Sequence, residues 1–248
     1  MLWLSASFGP GVENPVDKVE NRLSRQSLPS HGQVLGIFAK QPVAGKVKTR
    51  LTPSLRPEEA CALYRVALQE TVARLAAIPA SLVLCCGGRR RWFARTFPGV
   101  PLLPQGGGHL GIRLARATAT LFAAGGGPVA VAGADSPDLP LPLISAAFAA
   151  LADAEVAVIP CRDGGYALLA LRRPAPALFT GIPWSTSEVL TATQKRAMEL
   201  GLRLATIGAW DDLDDLPSLH RLLARSPECA TARYAQVHLR SRLASSCG

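Results

Sequence analysis

The sequence contains no apolar run that reaches the roughly 18–20 residues a membrane-spanning helix needs. A secretion signal is not expected at its start: Met1-Leu-Trp-Leu gives way at once to Ser5, Ser7, Gly9 and Pro10, with no basic segment. A cytoplasmic protein with no membrane partner is expected. Aromatic residues make up only 6% and do not interleave with the basic ones, so a stacking platform for single-stranded nucleic acid is not expected. The six cysteines form no C-x-x-C pair, and no histidine lies at zinc-ligand spacing from them. That excludes a zinc module, and free thiols suit a reducing compartment. Cys85 and Cys86, inside an apolar run, read as small buried side chains of a strand. Internal repeats are missing too.

What remains is a chain of 248 residues, 48% hydrophobic, long enough for one large α/β domain. Its net charge of +9 favours anionic partners: nucleic acid, an anionic membrane or phosphorylated small molecules. Two basic clusters stand out: Lys40, Lys46, Lys48 and Arg50, and Arg89-Arg90-Arg91, the latter read as a solvated face.

Residues 1–33 are rich in Ser, Pro, Gly and Asn and read as a flexible N-terminal extension. Short apolar runs at 34–39, 82–86, 129–133, 156–159 and 202–207 read as buried strands. Residues 101–104 read as a short extended piece and Tyr166–Leu171 as an antiparallel strand after a turn. Helices are expected from Pro57, over 110–124 and over 141–151. Another is expected after Ser185-Thr-Ser-Glu188, which has the spacing of a capping box. Alternating strands and helices predict a three-layer α/β/α domain over 34–220 with a mostly parallel mixed sheet. A helical, basic C-terminal tail is expected over 221–248. Ligands of such a fold lie beyond the carboxyl ends of the strands.

Four segments sit where chemistry is expected. Ala39-Lys-Gln-Pro-Val-Ala-Gly-Lys-Val-Lys-Thr-Arg-Leu51 follows the first strand. Gly45 permits close backbone approach to a phosphate, and Lys40, Lys46, Lys48 and Arg50 add charge-assisted bonds. It is not a Walker A loop, because Lys stands at 40 and Val at 47. The second segment is Gly133-Ala-Asp-Ser-Pro-Asp-Leu-Pro140, where Asp135 is placed to bind a hard cation. Asp138 reads as a cap of the next helix or as part of the site. In Cys161-Arg-Asp-Gly-Gly-Tyr166, the Asp163 carboxylate lies near the ligand edge or merely in a tight hairpin. Asp211-Asp-Leu-Asp-Asp215 supplies either a second metal ligand or a helix N-terminus. Gly106-Gly-Gly-His-Leu-Gly111 fits G-x-G-x-x-G, but it follows no long strand and reads as a loop opening a helix.

The segments FAKQPVAGKVKTRL, GADSPDLP, DGGYALLAL, IPWSTSEVL and DLDD occur in that order over roughly 34–220. In them the chain resembles the bacterial glycosyltransferase-A-like family described as radical-SAM/selenodomain-associated transferases, linked to arsenosugar biosynthesis. That family is related to phospholactate guanylyltransferase and the molybdenum-cofactor nucleotidyltransferases. The resemblance implies a nucleotide-diphospho-sugar transferase fold and a metal-dependent glycosyl transfer from a nucleotide-sugar to a small-molecule acceptor. It implies nucleotide contacts from Lys40, Gly45, Lys46, Lys48, Arg50, Gly107, Gly108 and Arg113. Asp135 and Asp214 would hold a divalent ion, Mg or Mn, with Asp135 and Asp163 catalytic. Trp184, Ser185 and Thr186 would face the acceptor. The family pattern usually has acids where His109 and Ile112 stand, a second tyrosine at Ala167 and a threonine at Asp215. Two further readings remain: a guanylyltransferase-like enzyme acting on a nucleoside triphosphate, and a non-catalytic module that binds nucleotide or nucleic acid.

Overall fold

The computed structural model describes residues 32–125 and 127–244. The expected flexible extension therefore lies outside the described residues, apart from its last two positions. Seven strands form one sheet: β1 (Val34–Lys40), β2 (Ser81–Gly87), β3 (Leu102–Pro104), β4 (Val129–Gly133), β5 (Val156–Pro160), β6 (Tyr166–Leu171) and β7 (Leu204–Thr206). Their order is β3-β2-β1-β4-β6-β5-β7. Only β6 runs antiparallel, to both β4 and β5. The strands are short apolar runs because both faces are covered, as parallel sheets require.

Eight α-helices are described: α1 (Pro57–Leu75), α2 (Arg90–Thr96), α3 (Leu110–Gly125), α4 (Leu141–Ala150), α5 (Val189–Glu199), α6 (Leu216–Arg225), α7 (Ala230–His238) and α8 (Arg240–Ala244). Alternate strand residues feed two core layers. Leu35, Ile37, Leu84 and Ala132 pack with Leu68 of α1 and Phe148 of α4. Val83, Cys85, Val131 and Leu169 pack with Leu114 of α3 and Ala197 of α5 on the other face. This is the period-2 side-chain alternation of a strand.

A third cluster joins Leu51 and Leu55, from the loop after β1, to Leu63 of α1, Leu219 of α6 and Ala235 of α7. Leu51 and Leu55 are almost wholly buried. At about 2 kcal/mol for each buried leucine, they anchor the basic loop between them. Position 221, the expected start of a tail, falls inside α6, and α7 packs on α1.

The Arg89-Arg90-Arg91 cluster is a solvated face, as expected, on a helix that was not expected from the sequence. Arg90–Thr96 is helical: Phe93 is fully buried and its ring meets Trp92 edge-on, while the arginines point outward. One reading is corrected: Ser185–Glu188 forms no capping box. Glu188 occupies the cap position of α5 without a side-chain cap bond, and Thr186 Oγ1 donates to the Pro183 carbonyl at 2.7 Å instead.

The strand order reverses between β1 and β4, which pair in parallel. Their carboxyl ends therefore open a crevice at the switch point. The antiparallel β6 brings the β5–β6 turn to the same edge.

Candidate functional site

The loop leaving β1 is pinned at both ends. Tyr64 of α1 accepts a hydrogen bond from the Lys40 amide at 3.1 Å and donates one to the Lys40 carbonyl at 3.2 Å. Val47 and Leu51 are buried further along. Lys48 lies between them with φ 49° and ψ 42°, a left-handed conformation that non-glycine residues seldom adopt. This conformation directs the Lys48 side chain inward, where it is only 5% exposed.

Its ammonium donates to Asp135 Oδ2 at 2.9 Å and to Asp214 Oδ1 at 2.8 Å. Arg50 reaches the other oxygen of Asp214, also at 2.9 Å. Residues 87 and 166 positions from Lys48 thus meet at one point. The Leu213 amide donates to the Asp135 carbonyl and ties the two acidic segments together. Burial would lower the Lys48 pKa, but the charges of Asp135 and Asp214 outweigh it and hold the ammonium well above its ordinary range. Burial would likewise raise Asp214, yet Lys48 and Arg50 hold it below the usual carboxylate range.

Two clefts share this cluster. The smaller, about 260 Å³, is lined by Lys40, Lys46, Lys48, Arg50 and Tyr64 together with Asp135 and Asp214. The larger, about 520 Å³, is lined by Phe38, Leu110, Leu114, Val131 and Trp184. Asp135, Asp163, Asp212 and Asp214 also line it, as do Ser185, Thr186 and Arg50.

Asp163 sits in the β5–β6 turn, where its Oδ1 accepts the Gly165 amide at 2.9 Å. Gly164 has φ +85°, and a Cβ there would collide with the Ser187 carbonyl. The Leu190 amide donates to the Gly164 carbonyl at 2.8 Å, so this turn and the Trp184–Ser187 loop are locked together. Ser185 is, with Lys48, one of the two non-glycine residues of positive φ among the described residues. Both lie on cleft-lining loops, where such backbone strain tends to collect at functional sites.

Asp135, Asp163, Asp214, Lys40, Lys46, Lys48, Arg50, Trp184, Ser185 and Thr186 all line one or both clefts. Gly45 forms a turn at φ +73° beside them without lining either. Gly107, Gly108 and Arg113 line neither cleft. Arg113 donates to Gln105 Oε1 at 3.0 Å, and Gln105 Nε2 donates to the Ala39 and Cys85 carbonyls. That group braces the ends of β1 and β2.

Sequence reading missed Asp212 and Cys161. Ligand atoms of Cys161, Asp163 and Asp212 lie within 4.8 Å of one another. Burial, reinforced by the Asp135 charge, pushes the Asp212 carboxyl up to about 7. Burial, followed by the charge of Asp212, pushes the Cys161 thiol far up, so it remains protonated and unreactive. Asp212 is one of four acids in five residues, and sequence alone does not rank them. In the structure they divide the work. Asp211 pairs with Arg221 and Arg225, and Asp215 caps α6 by accepting the Ser218 amide at 2.8 Å. Asp212 and Asp214 face the clefts.

Asp138 caps no helix, which overturns that expectation. It is buried, accepts two bonds from Arg225 at 2.6 and 2.9 Å, and accepts one each from Ser226 and Trp210. The loop carrying Asp135 is thereby clamped to the end of α6.

A family model described as an uncharacterized protein conserved in bacteria (DUF2064) matches residues 68–186, a little under half of the chain. Comparison with curated proteins gave no match. Among solved structures, the chain is similar to a candidate nucleotide-diphospho-sugar transferase from Desulfovibrio desulfuricans G20. The identity is 28% over 88% of this chain and 98% of that one, with a TM-score of 0.80. A CMP:2-keto-3-deoxy-manno-octonic acid synthetase complexed with CTP matches at 15% identity over 77% of this chain and 97% of its own, TM-score 0.53. A Mycobacterium sp. strain JC1 protein matches at 18% identity over 79% and 97%, TM-score 0.52. The last two likenesses concern the fold alone. The chain has the fold of nucleotide-diphospho-sugar transferases and nucleotidyltransferases, as the mixed seven-stranded sheet with helices on both faces indicates. No helix among the described residues is long and apolar enough to cross a membrane.

Proposed function

We propose that the protein is a metal-dependent transferase that moves a glycosyl group from a nucleotide-sugar to a small-molecule acceptor in the cytoplasm. One observation carries this reading. A single ammonium, that of Lys48, is held between Asp135 and Asp214 where a cationic cleft opens into an apolar and acidic one. The likeness to the Desulfovibrio protein and the shared sequence motifs support the same class of donor.

The donor set fits a hard divalent cation. Asp135 and Asp214 offer carboxylate oxygens, no histidine lines either cleft, and the two acids already converge on one positive charge. Asp135 and Asp214 would hold Mg or Mn. When bound, the ion supplies Lewis-acid neutralisation of the diphosphate.

The chain's own residues account for the rest. Lys46, Lys48 and Arg50, with Lys40 at the strand end, bind and orient the diphosphate and offset the charge it gains as it departs. The Trp184–Thr186 loop holds the acceptor on the opposite side. Asp163 accepts the acceptor's hydroxyl proton: one of its oxygens is fixed by the Gly165 amide, which aims the carboxylate into the cleft. Asp212, titrating near neutrality, is the second group able to take that proton.

The test offers a panel of nucleotide-sugars and nucleoside triphosphates with MgCl2 or MnCl2 and measures released nucleoside diphosphate and pyrophosphate. Release of nucleoside diphosphate from a nucleotide-sugar, reduced at least a hundredfold by Asp135→Asn, is the expected result. Pyrophosphate release from a triphosphate would replace glycosyl with nucleotidyl transfer. Steeply salt-dependent binding to random oligonucleotides without turnover would leave only a binding module.

A further inference from the structure

The two clefts differ in charge. In the smaller one, four cationic side chains outnumber two carboxylates. In the larger one, four carboxylates face a single lining cation, Arg50. Asp135 and Asp214 spend their charge on Lys48 and Arg50. Neither Asp163 nor Asp212 lies within ion-pair distance of a cation among the described residues. These two sit side by side in the cluster that includes Cys161. The same cleft has an apolar part, all of it packed on one core layer: Phe38 from β1, Leu110 and Leu114 from α3, Val131 from β4, and Trp184.

We propose that the larger cleft selects an acceptor with an apolar body and no negative charge, that is, a neutral or cationic hydroxyl compound and not a phosphorylated or carboxylated one. This rests on the transferase reading above, which makes the smaller cleft the diphosphate side. The apolar wall supplies affinity in proportion to the area it covers. The Asp163–Asp212 side supplies the discrimination. An anionic group brought to about 6 Å from Asp163 and Asp212, a pair with no cationic partner that carries less than two full charges near neutral pH, is repelled enough to weaken binding about tenfold at the reduced dielectric of a partly hydrated site. A hydroxyl or ammonium at the same place donates to those oxygens and is retained. The division follows from topology: the basic loop leaves β1 on one side of the switch point, whereas Asp163 and the Trp184 loop belong to β5, β6 and the segment after them.

The test uses three probes of one chain length: hexan-1-ol, hexylammonium and hexanoate. Each is titrated by ligand-observed NMR into the full-length protein with MgCl2. The alcohol and the ammonium are expected to bind in mutual competition, with hexanoate about tenfold weaker. Leu114→Trp, which fills the apolar side, is expected to weaken the first two at least tenfold. Leu110→Trp at the rim repeats this should the buried replacement unfold the protein. Asp163→Asn combined with Asp212→Asn is expected to bring hexanoate within about threefold of hexanol. Hexanoate binding as tightly as hexanol to the natural protein overturns the proposal. So does hexanol binding that ignores the tryptophan replacements. Magnesium-dependent binding of nucleoside diphosphate is measured on the same samples. Its absence would sink the transferase reading, whereas its presence with the wrong hexyl order sinks only the acceptor inference.

Discussion

Replacing Lys48 by methionine keeps the length of the side chain and removes the charge that Asp135 and Asp214 share. Lys48 is 5% exposed, and its two contacts are 2.9 and 2.8 Å. Deleting one partner of a fully buried ion pair costs about 3–5 kcal/mol, because a charge is stranded. The stranded groups here are less confined: Asp135 is 29% and Asp214 36% exposed, and Arg50 still holds Asp214. Water and Arg50 offset part of the loss, so Lys48→Met is expected to destabilise the fold by about 2 kcal/mol. For a chain of this size that lowers Tm by about 4–8 °C. The two carboxylates are left facing each other, and a divalent ion becomes the best available replacement. Thermal melts with and without millimolar MnCl2 read both effects. The variant should melt lower without metal, and the metal should raise its Tm more than it raises that of the natural protein. An unchanged Tm, or a metal response no larger than that of the natural protein, would refute the reasoning that these acids form a cation site.

Arg225→Met should cost about 3 kcal/mol, because nearly inaccessible Asp138 loses its cationic partner, while Asp211 keeps Arg221 at 2.7 Å; a urea midpoint measures it, and an unchanged midpoint would show the clamp to be dispensable. Asp212 gives a pH signature. Its folded pKa of about 7 lies above the unfolded value near 4, so the folded state binds more protons between them, and stability should fall as pH rises through that window. Asp212→Asn should flatten the fall by on the order of 3 kcal/mol between about pH 4 and 7, as read from denaturation at stepped pH; an identical slope in the variant would contradict the assignment.

The sheet was largely legible because most buried strands are short apolar runs bounded by turn or polar residues. Residues 129–133, 156–159 and 166–171 fall within a position or so of the observed strands. The short β7 is half-buried, and its expected span over 202–207 shrank to Leu204–Thr206. The helix over Arg90–Thr96 was hidden because its exposed face is nearly all arginine and only Phe93 turns fully inward. Local spacing misled at Ser185–Glu188, where Ser185 takes φ 70° and the loop is shaped by its bond to the β5–β6 turn. Asp138 shows the same limit at longer range: its partners Arg225 and Ser226 lie 87 and 88 positions away, beyond any window that detects a helix cap. The meeting of Lys48, Asp135 and Asp214 was foreseeable only because each follows an element whose end belongs at the ligand edge. Gly107, Gly108 and Arg113 open a helix near that edge but line neither cleft.

The reversed strand β6 has an evolutionary consequence. Threading one strand backwards puts Asp163 and the Trp184 loop on a continuous stretch of about two dozen residues, far along the chain from the Lys40–Arg50 loop to which the phosphate grip is assigned in the proposed function. If the proposed division of the two clefts holds, exchange of that stretch between relatives rewrites which molecule receives the transferred group without disturbing the grip on the donor, and new specificities are open to recombination as well as to point mutation.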